Sequence, residues 1–270
     1  MKATVFLGGG RITTALIAGL RLSDYRDPII VHDRHADRLR RLKREFSVTI
    51  EPDLQRAVKL ARLLVIAVRP ASVRNLLNNI GHLRVPITAI SLAAGIPLAD
   101  LQPQLGPFAR WVRAMPSPAA RSRRGLTAIA FSRTFPRNSR SEVTQFFAKV
   151  GDVIQIPESK FDAFTVTYSC SHGYHALATL AAAAEKAGLD RKTALLAAAH
   201  ALADGILSWR EGNIRLNDLL EEAATPGGIA AASMSAMDRG GYERIVQRGL
   251  RAGRARAKEN AKRFSRSPKS

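Results

Sequence analysis

Six short apolar runs, each bounded by glycine, proline or charge, alternate with amphipathic stretches over the first 157 residues. That alternation limits the fold more than any other feature of the chain. The runs are 3–7 (ATVFL), 28–32 (PIIVH), 63–68 (LLVIAV), 86–91 (PITAIS), 126–131 (LTAIAF) and 151–157 (GDVIQIP). Short, unbroken apolar runs are what strands covered on both faces require. Helical patterns at 11–22, 35–45, 52–60, 70–80 and 98–105 lie between them. Strand and helix in alternation predict an α/β fold with a doubly wound parallel sheet.

After Pro157 the strand-like runs stop and alanine takes over, as in HALATLAAAAEKAG and KTALLAAAHALADGI. Alanine faces let helices approach closely but build little core volume. The chain therefore divides into a sheet domain, 1–157, and an all-α domain, 158–270, whose core needs a partner chain, most simply a second copy. The final SRSPKS reads as disordered.

The stretch TVFLGGGRITTALIAGL, 4–20, admits two readings. A secretory signal needs an unbroken apolar core and a small-residue cleavage site. Gly8-Gly9-Gly10 and Arg11 interrupt the core, and no such site follows. The better reading is a strand turning through glycines into a helix, which is how a phosphate is held. Gly8 permits the tight turn and Gly10 lets the backbone approach a pyrophosphate. Arg11, Ile12 and Thr13 then open a helix whose free N–H groups face the anion. Thr13 stands where the third glycine of G-x-G-x-x-G is usual, and it is expected to perturb helix–strand packing without abolishing phosphate binding. No apolar stretch reaches membrane-span length. A single cysteine, Cys170, excludes an internal disulfide framework,. The expected location is the cytoplasm.

Asp33, closing the second apolar run, stands where an acid receives the ribose 2′-hydroxyl of NAD. Arg34 beside it suits the 2′-phosphate of NADP, with His35 and Arg38 adding positive potential. A bland alternative is that Asp33 caps the helix beginning near His35. The balance leans to NADP, with NAD open.

The net charge is +20, from 42 Lys and Arg against 22 Asp and Glu. Basic clusters at 34–45 and 248–270 lack interleaved aromatics and read as solvated helix faces and a frayed tail. They predict salt-sensitive, non-specific attraction to polyanions, and no specific nucleic-acid partner. No cysteine or histidine spacing suggests a metal site.

The motifs VFLGGGRITTALIAGL, VIAVRPASVRNLL, ISLAAGIPLADLQPQLG, WVRAMPSPAA and TPGGIAAA, in that order, resemble the pyrroline-5-carboxylate reductase family. The resemblance implies a Rossmann-type sheet domain followed by an all-α dimerisation domain. It further implies a homodimer, often assembled further, with the active site at the dimer interface. The implied reaction is hydride transfer from a reduced nicotinamide to the C=N carbon of a cyclic imine, giving proline. For the cofactor it implies Ala67-Val68-Arg69-Pro70 (family A-V-K-P), Ala93-Ala94-Gly95, and Met115 and Pro116 of Arg113-Ala-Met-Pro. Ser117 replaces a usual asparagine there.

The substrate half departs from the family. Where S-G-S-G-P-A-Y is usual, this chain has Tyr168-Ser169-Cys170-Ser171-His172-Gly173-Tyr174. Where S-P-G-G-T-T is usual, it has Thr225-Pro226-Gly227-Gly228-Ile229-Ala230, and the threonine implicated at the substrate nitrogen has become Ala230. His172 and Thr225 are the candidate catalytic substitutes, with Tyr168, Ser171, Gly228, Ile229 and Ala230 around the substrate. His175 reads as a partly buried residue that begins the following helix, and His172 as lining the loop before it. Two other outcomes stay open: a bulkier imine, attracted by Arg123 and Arg124, or a dinucleotide-binding paralogue without catalysis.

Overall fold

The computed structural model describes residues 2–168 and 170–266. In chain order the first part runs β1 (Ala3–Leu7), α1 (Arg11–Arg21), β2 (Ile29–His32), α2 (Ala36–Phe46), β3 (Thr49–Ile50), α3 (Leu54–Lys59), β4 (Ala61–Ile66) and α4 (Pro70–Ile80). It continues β5 (Ile87–Ser91), α5 (Leu98–Leu101), β6 (Ala109–Met115), β7 (Gly125–Phe131), α6 (Arg140–Ala148), β8 (Gly151–Gln155) and α7 (Glu158–Thr167). The helices that follow are α8 (Cys170–Lys186), α9 (Arg191–Glu211), α10 (Leu216–Ala223), α11 (Ile229–Arg239) and α12 (Tyr242–Arg266).

The eight strands form one sheet in the order β3-β2-β1-β4-β5-β6-β7-β8. Pairing is parallel except between β6 and β7. The connection from Met115 to Gly125 holds only a single 3-10 turn at Pro118–Ser122. That is too short for a crossover helix, so β7 returns antiparallel. Strand alternation sends Val5 and Leu7 to one face with α3, α4 and α5. It sends Phe6 to the other with α1, α2 and α6, where Leu16, Leu42 and Phe147 are fully buried.

All six expected strands are present. The expected sheet lacked the two-residue β3 and also β6, whose sequence ARWVRAM carries two arginines. One of them, Arg113, is only 1% exposed. Its charge is met by Glu158 at 2.8 Å and Asp162 at 2.9 Å. A charge neutralised by residues forty-five or more positions away is not visible in a local pattern. The helix expected at 98–105 stops at Leu101, because Pro103 offers no N–H to continue it,.

Two compact units divide the chain. One holds the residues up to Val166 together with those from Gly253 onward, and the other is Thr167–Ala252. The sheet unit thus runs past the expected edge at 157, since Phe161 of α7 is fully buried in its core. It also takes in the end of α12, which was expected to fray. Phe264 is 3% exposed, with the Arg74 guanidinium 4.4 Å above its ring. Asn260 donates to the Ala94 carbonyl, and Ser265 donates to Asp100. Ser265 and Arg266, expected to be disordered, are therefore helical. The rest of SRSPKS lies outside the described residues.

In the second unit, α8 and α9 pack as a hairpin turned at Gly188, and the buried side chains include Ala181, Ala194 and Ala198. Large apolar residues stay exposed, among them Leu196 at 58%, Ile206 at 56% and Ile229 at 90%. Alanine contacts hold the hairpin but leave the larger side chains without a core of their own. No described helix is long and apolar enough to cross a membrane.

Candidate functional site

Strand order reverses between β1 and β4, since β2 and β3 lie to one side and β5 and β6 to the other. Loops at the carboxyl ends of such strands diverge and leave a crevice. Here those loops are Gly8–Gly10 after β1 and Ala67–Arg69 after β4. They are held side by side, with Gly8 N–H donating to the His32 carbonyl and Ala67 N–H to the Leu7 carbonyl.

Gly8 adopts φ +110, which side chains rarely allow, and a Cβ there would lie 2.9 Å from the Ala67 carbonyl oxygen. Both facts require glycine. Gly10 caps α1 with no side-chain hydrogen bond, and no acid lies in the first turn. The N–H groups of Arg11, Ile12 and Thr13 are thus left to an anion. A Cβ on Gly10 would meet nothing within 4 Å, so there is open space where a phosphate would sit. These residues fit a dinucleotide pyrophosphate.

Thr13 is fully buried, and its hydroxyl donates to the Gly8 carbonyl at 2.5 Å. Far from disturbing the loop, it ties the start of α1 to the turn. Its side chain builds the cradle and does not face a ligand, which corrects the perturbation expected of it.

Asp33 is 8% exposed and linked to the same turn. It accepts from Gly9 N–H at 2.8 Å on one oxygen and from His35 N–H at 2.8 Å on the other. The His35 ring and Arg38 complete its surroundings. Burial alone would raise its pKa. The Gly9 and His35 amides, the His35 ring and Arg38 outweigh this and hold the carboxyl below the usual carboxylate range,. Its carboxylate steadies the glycine turn through Gly9 and the entry to α2 through His35, which is itself the residue that caps α2. Arg34, His35 and Arg38 are exposed around it.

The second row of the crevice is made by the other strand ends. Arg69 is exposed and caps α4 without a side-chain bond, with Pro70 at the first position and Ala67 and Val68 half-buried before it. Ala93 and Gly95 are buried and Ala94 half-buried. Gly95, expected at the cofactor, has φ +77, and a Cβ there would lie 2.5 Å from the Ala257 carbonyl. What requires glycine at this position is the backbone of α12. Met115 is half-buried and Pro116 buried at the end of β6. Ser117 caps the turn that follows, accepting from Ala119 N–H.

Arg113 is the residue that local reading passed over. Besides its two carboxylates, its guanidinium stacks 4.2 Å over the Phe161 ring. Glu158 also accepts from Leu98 N–H at 3.0 Å. One arginine thereby joins β6, α5 and α7 behind the Met115–Pro116 loop. The motif R-x-M-P was the available signal. Of the two arginines considered for attracting a bulkier imine, Arg123 is engaged elsewhere. Arg123 donates to the carbonyls of Lys149 and Leu22, and Leu22 caps the far end of α1, roughly 16 Å of helix from the glycine turn,.

The substrate and catalytic candidates lie in the helical unit. Tyr168 is half-buried just before α8, and Ser169 falls outside the described residues. The segment expected as a loop is helical from Cys170. Ser171 and His172 are thus exposed residues of the first turn of α8, and His175, expected to be partly buried, is exposed one turn on. Thr225 is exposed, and its hydroxyl donates to the Glu222 carbonyl. Gly227 at φ +77 turns the chain into α11, where Gly228 is an N-cap without a side-chain bond. Ile229 and Ala230 follow, both exposed. Two helix N-termini thus carry the substrate candidates, at α8 and at α11.

A family model described as pyrroline-5-carboxylate reductase dimerisation matches residues 158–260, and one described as NADP oxidoreductase, coenzyme F420-dependent, matches residues 4–95. The pyrroline-5-carboxylate reductase of Mycobacterium tuberculosis is 28% identical over 286 residues, with 96% of this chain and 97% of the relative covered. Among solved structures, a pyrroline-5-carboxylate reductase from Coxiella burnetii matches with a TM-score of 0.85 at 24% identity, over 96% of this chain and 98% of that one. The pyrroline carboxylate reductase of Plasmodium falciparum with NADP bound matches with a TM-score of 0.84 at 18% identity, over the same shares. At such identities the structural likeness speaks to the fold, and the sequence matches speak to ancestry. The chain belongs to the pyrroline-5-carboxylate reductase family, NAD(P)-dependent oxidoreductases acting on a C=N bond.

Proposed function

We propose that this chain reduces pyrroline-5-carboxylate to proline, using NADPH in preference to NADH. The observation that carries the reading is the glycine turn at the β1/β4 crossover, with its positive-φ Gly8 and uncapped α1 amides. Gly8, Gly10, Arg11 and Ile12 hold the pyrophosphate from below, with Thr13 shaping the turn. Ala67, Val68, Arg69 and Pro70 lie along the dinucleotide, with Ala93, Ala94, Met115 and Pro116 toward the nicotinamide. The reduced nicotinamide, when bound, supplies the hydride that adds to the imine carbon.

Cofactor preference follows from Asp33. Both its oxygens already accept backbone N–H groups, whereas Arg34 and Arg38 stand exposed beside it. A carboxylate so engaged is a poor acceptor for a ribose hydroxyl, and arginines are good partners for a 2′-phosphate.

In the helical unit, His172 gives the imine nitrogen its proton, the role left open by Ala230. Histidine is the side chain suited to exchanging a proton near neutrality. The uncapped amides at Ile229 and Ala230 take the substrate carboxylate, beside Gly228, whose own N–H donates to the Thr225 carbonyl,. Thr225, Tyr168 and Ser171 line the same substrate. A second copy of the chain covers the exposed apolar helices, giving a homodimer in a reducing, cytoplasmic setting.

The test is initial-rate kinetics of pyrroline-5-carboxylate reduction with each dinucleotide. NADPH is expected to give at least a tenfold higher kcat/KM than NADH. Arg34→Ala with Arg38→Ala should narrow that gap by raising KM for NADPH, since a charge-assisted contact is worth about 1.5–3 kcal/mol. Equal use of both dinucleotides, unchanged in the variant, would refute the assignment to these arginines. Absence of turnover with either would refute the activity.

A further inference from the structure

The end of α12 has two opposed faces. Gly253, Ala257, Asn260 and Phe264 face the sheet unit, as the Gly95–Ala257 approach and the burial of Phe264 establish. On the opposite side Arg254, Lys258, Lys262 and Arg266 recur every four residues, all exposed. None of the four forms a salt bridge among the described residues, whereas Arg256 and Arg263 are both engaged by Glu259. Each step of four residues rises about 6 Å, so the row is about 18 Å long. In the sequence further arginines precede the row at Arg251, Arg248 and Arg244, three or four residues apart.

We propose that this row is a sequence-independent docking surface for the phosphate backbone of double-stranded nucleic acid. An 18 Å row spans about five phosphates of one strand, at about 3.4 Å of axis each. The row turns by only about 40° at each step, so its cations stay on the exposed side of α12, where they can meet a lattice of fixed anions. Ala255 and Ala261 beside the row are small, and the one carboxylate that flanks it, Glu259, is neutralised by Arg256 and Arg263. The row has no aromatic residue, so it offers nothing for unpaired bases to stack on,. Insertion into a lipid surface needs a free apolar face, and the apolar face of this segment is already packed on the sheet unit,.

The test uses the full chain and a labelled 30-base-pair duplex of arbitrary sequence, with binding followed by fluorescence anisotropy over a range of KCl. Four phosphate contacts predict that log K falls against log salt with a slope of about −3.6. Replacement by Arg254→Glu, Lys258→Glu and Lys262→Glu together should weaken binding at least tenfold and flatten the slope by about 2.7. The milder glutamine triple should do the same in part. NADPH affinity and the unfolding temperature, measured on each variant, should stay unchanged and show that the fold is intact. A control triple with the same net charge, Arg41→Glu, Lys43→Glu and Arg44→Glu on α2, should leave the duplex affinity within about twofold of the parent. The proposal is overturned if both triples weaken binding alike, because attraction would then be a matter of total charge. It is also overturned if phosphatidylserine vesicles are bound in preference to the duplex.

Discussion

At the residue scale, two positions near the crevice are constrained by geometry that a substitution exposes directly. Gly8→Ala places a methyl group 2.9 Å from the Ala67 carbonyl oxygen at φ +110. Strain of this kind costs about 1–3 kcal/mol, and the loop can relieve it only by moving away from the phosphate. The variant should fold with a lowered unfolding temperature and lose at least tenfold in dinucleotide affinity by calorimetry. Asp33 gives a pH signature. Its carboxyl titrates below the ordinary aspartate value of about 3.9,. It therefore contributes stability that is complete above that value and is lost as pH falls through the lower folded value. Asp33→Asn should destabilise the sheet unit by about 1–3 kcal/mol at neutral pH. The gap between variant and parent should close on acidification below about pH 4, as urea titrations at stepped pH would show.

At the element scale, Arg113 determines how β6, α5 and α7 meet. Arg113→Met keeps the stem but strands Glu158 and Asp162. Breaking a buried pair costs about 3–5 kcal/mol, and these carboxylates are 31% and 37% exposed, so about 2–3 is expected,. Chemical denaturation should show that loss, with a raised KM for dinucleotide as the Met115–Pro116 loop loosens. The same residue explains what a sequence discloses. The six apolar strands were readable because each is satisfied by its own composition. So was the glycine turn, since the strand before it and the helix after it are local signals. β6 was not, since its buried charge is balanced by α7, nor was the end of α12, whose basic residues conceal a face matched to Gly95 and Arg74. Likewise Tyr168–Tyr174, read as a loop, begins a helix at Cys170.

At the scale of the whole molecule, the sheet unit is self-sufficient and the helical unit is not. Leu196 and Ile206 on α9 are more than half exposed, as is Ile245 at the start of α12. A surface of that kind belongs in an interface. Leu196→Asp with Ile206→Asp should convert a dimer to monomer in light scattering and abolish turnover, while the sheet unit still binds NADPH. A variant that stays dimeric would locate the interface elsewhere. Hydride transfer to a C=N carbon is open to isotopic labelling. The protein is incubated with pyrroline-5-carboxylate and NADPH deuterated at the transferable position, and the product is examined by mass spectrometry. The expected product is proline heavier by one deuterium, on the carbon that was double-bonded to nitrogen. Unlabelled proline, or none from protein that demonstrably binds NADPH, would contradict it.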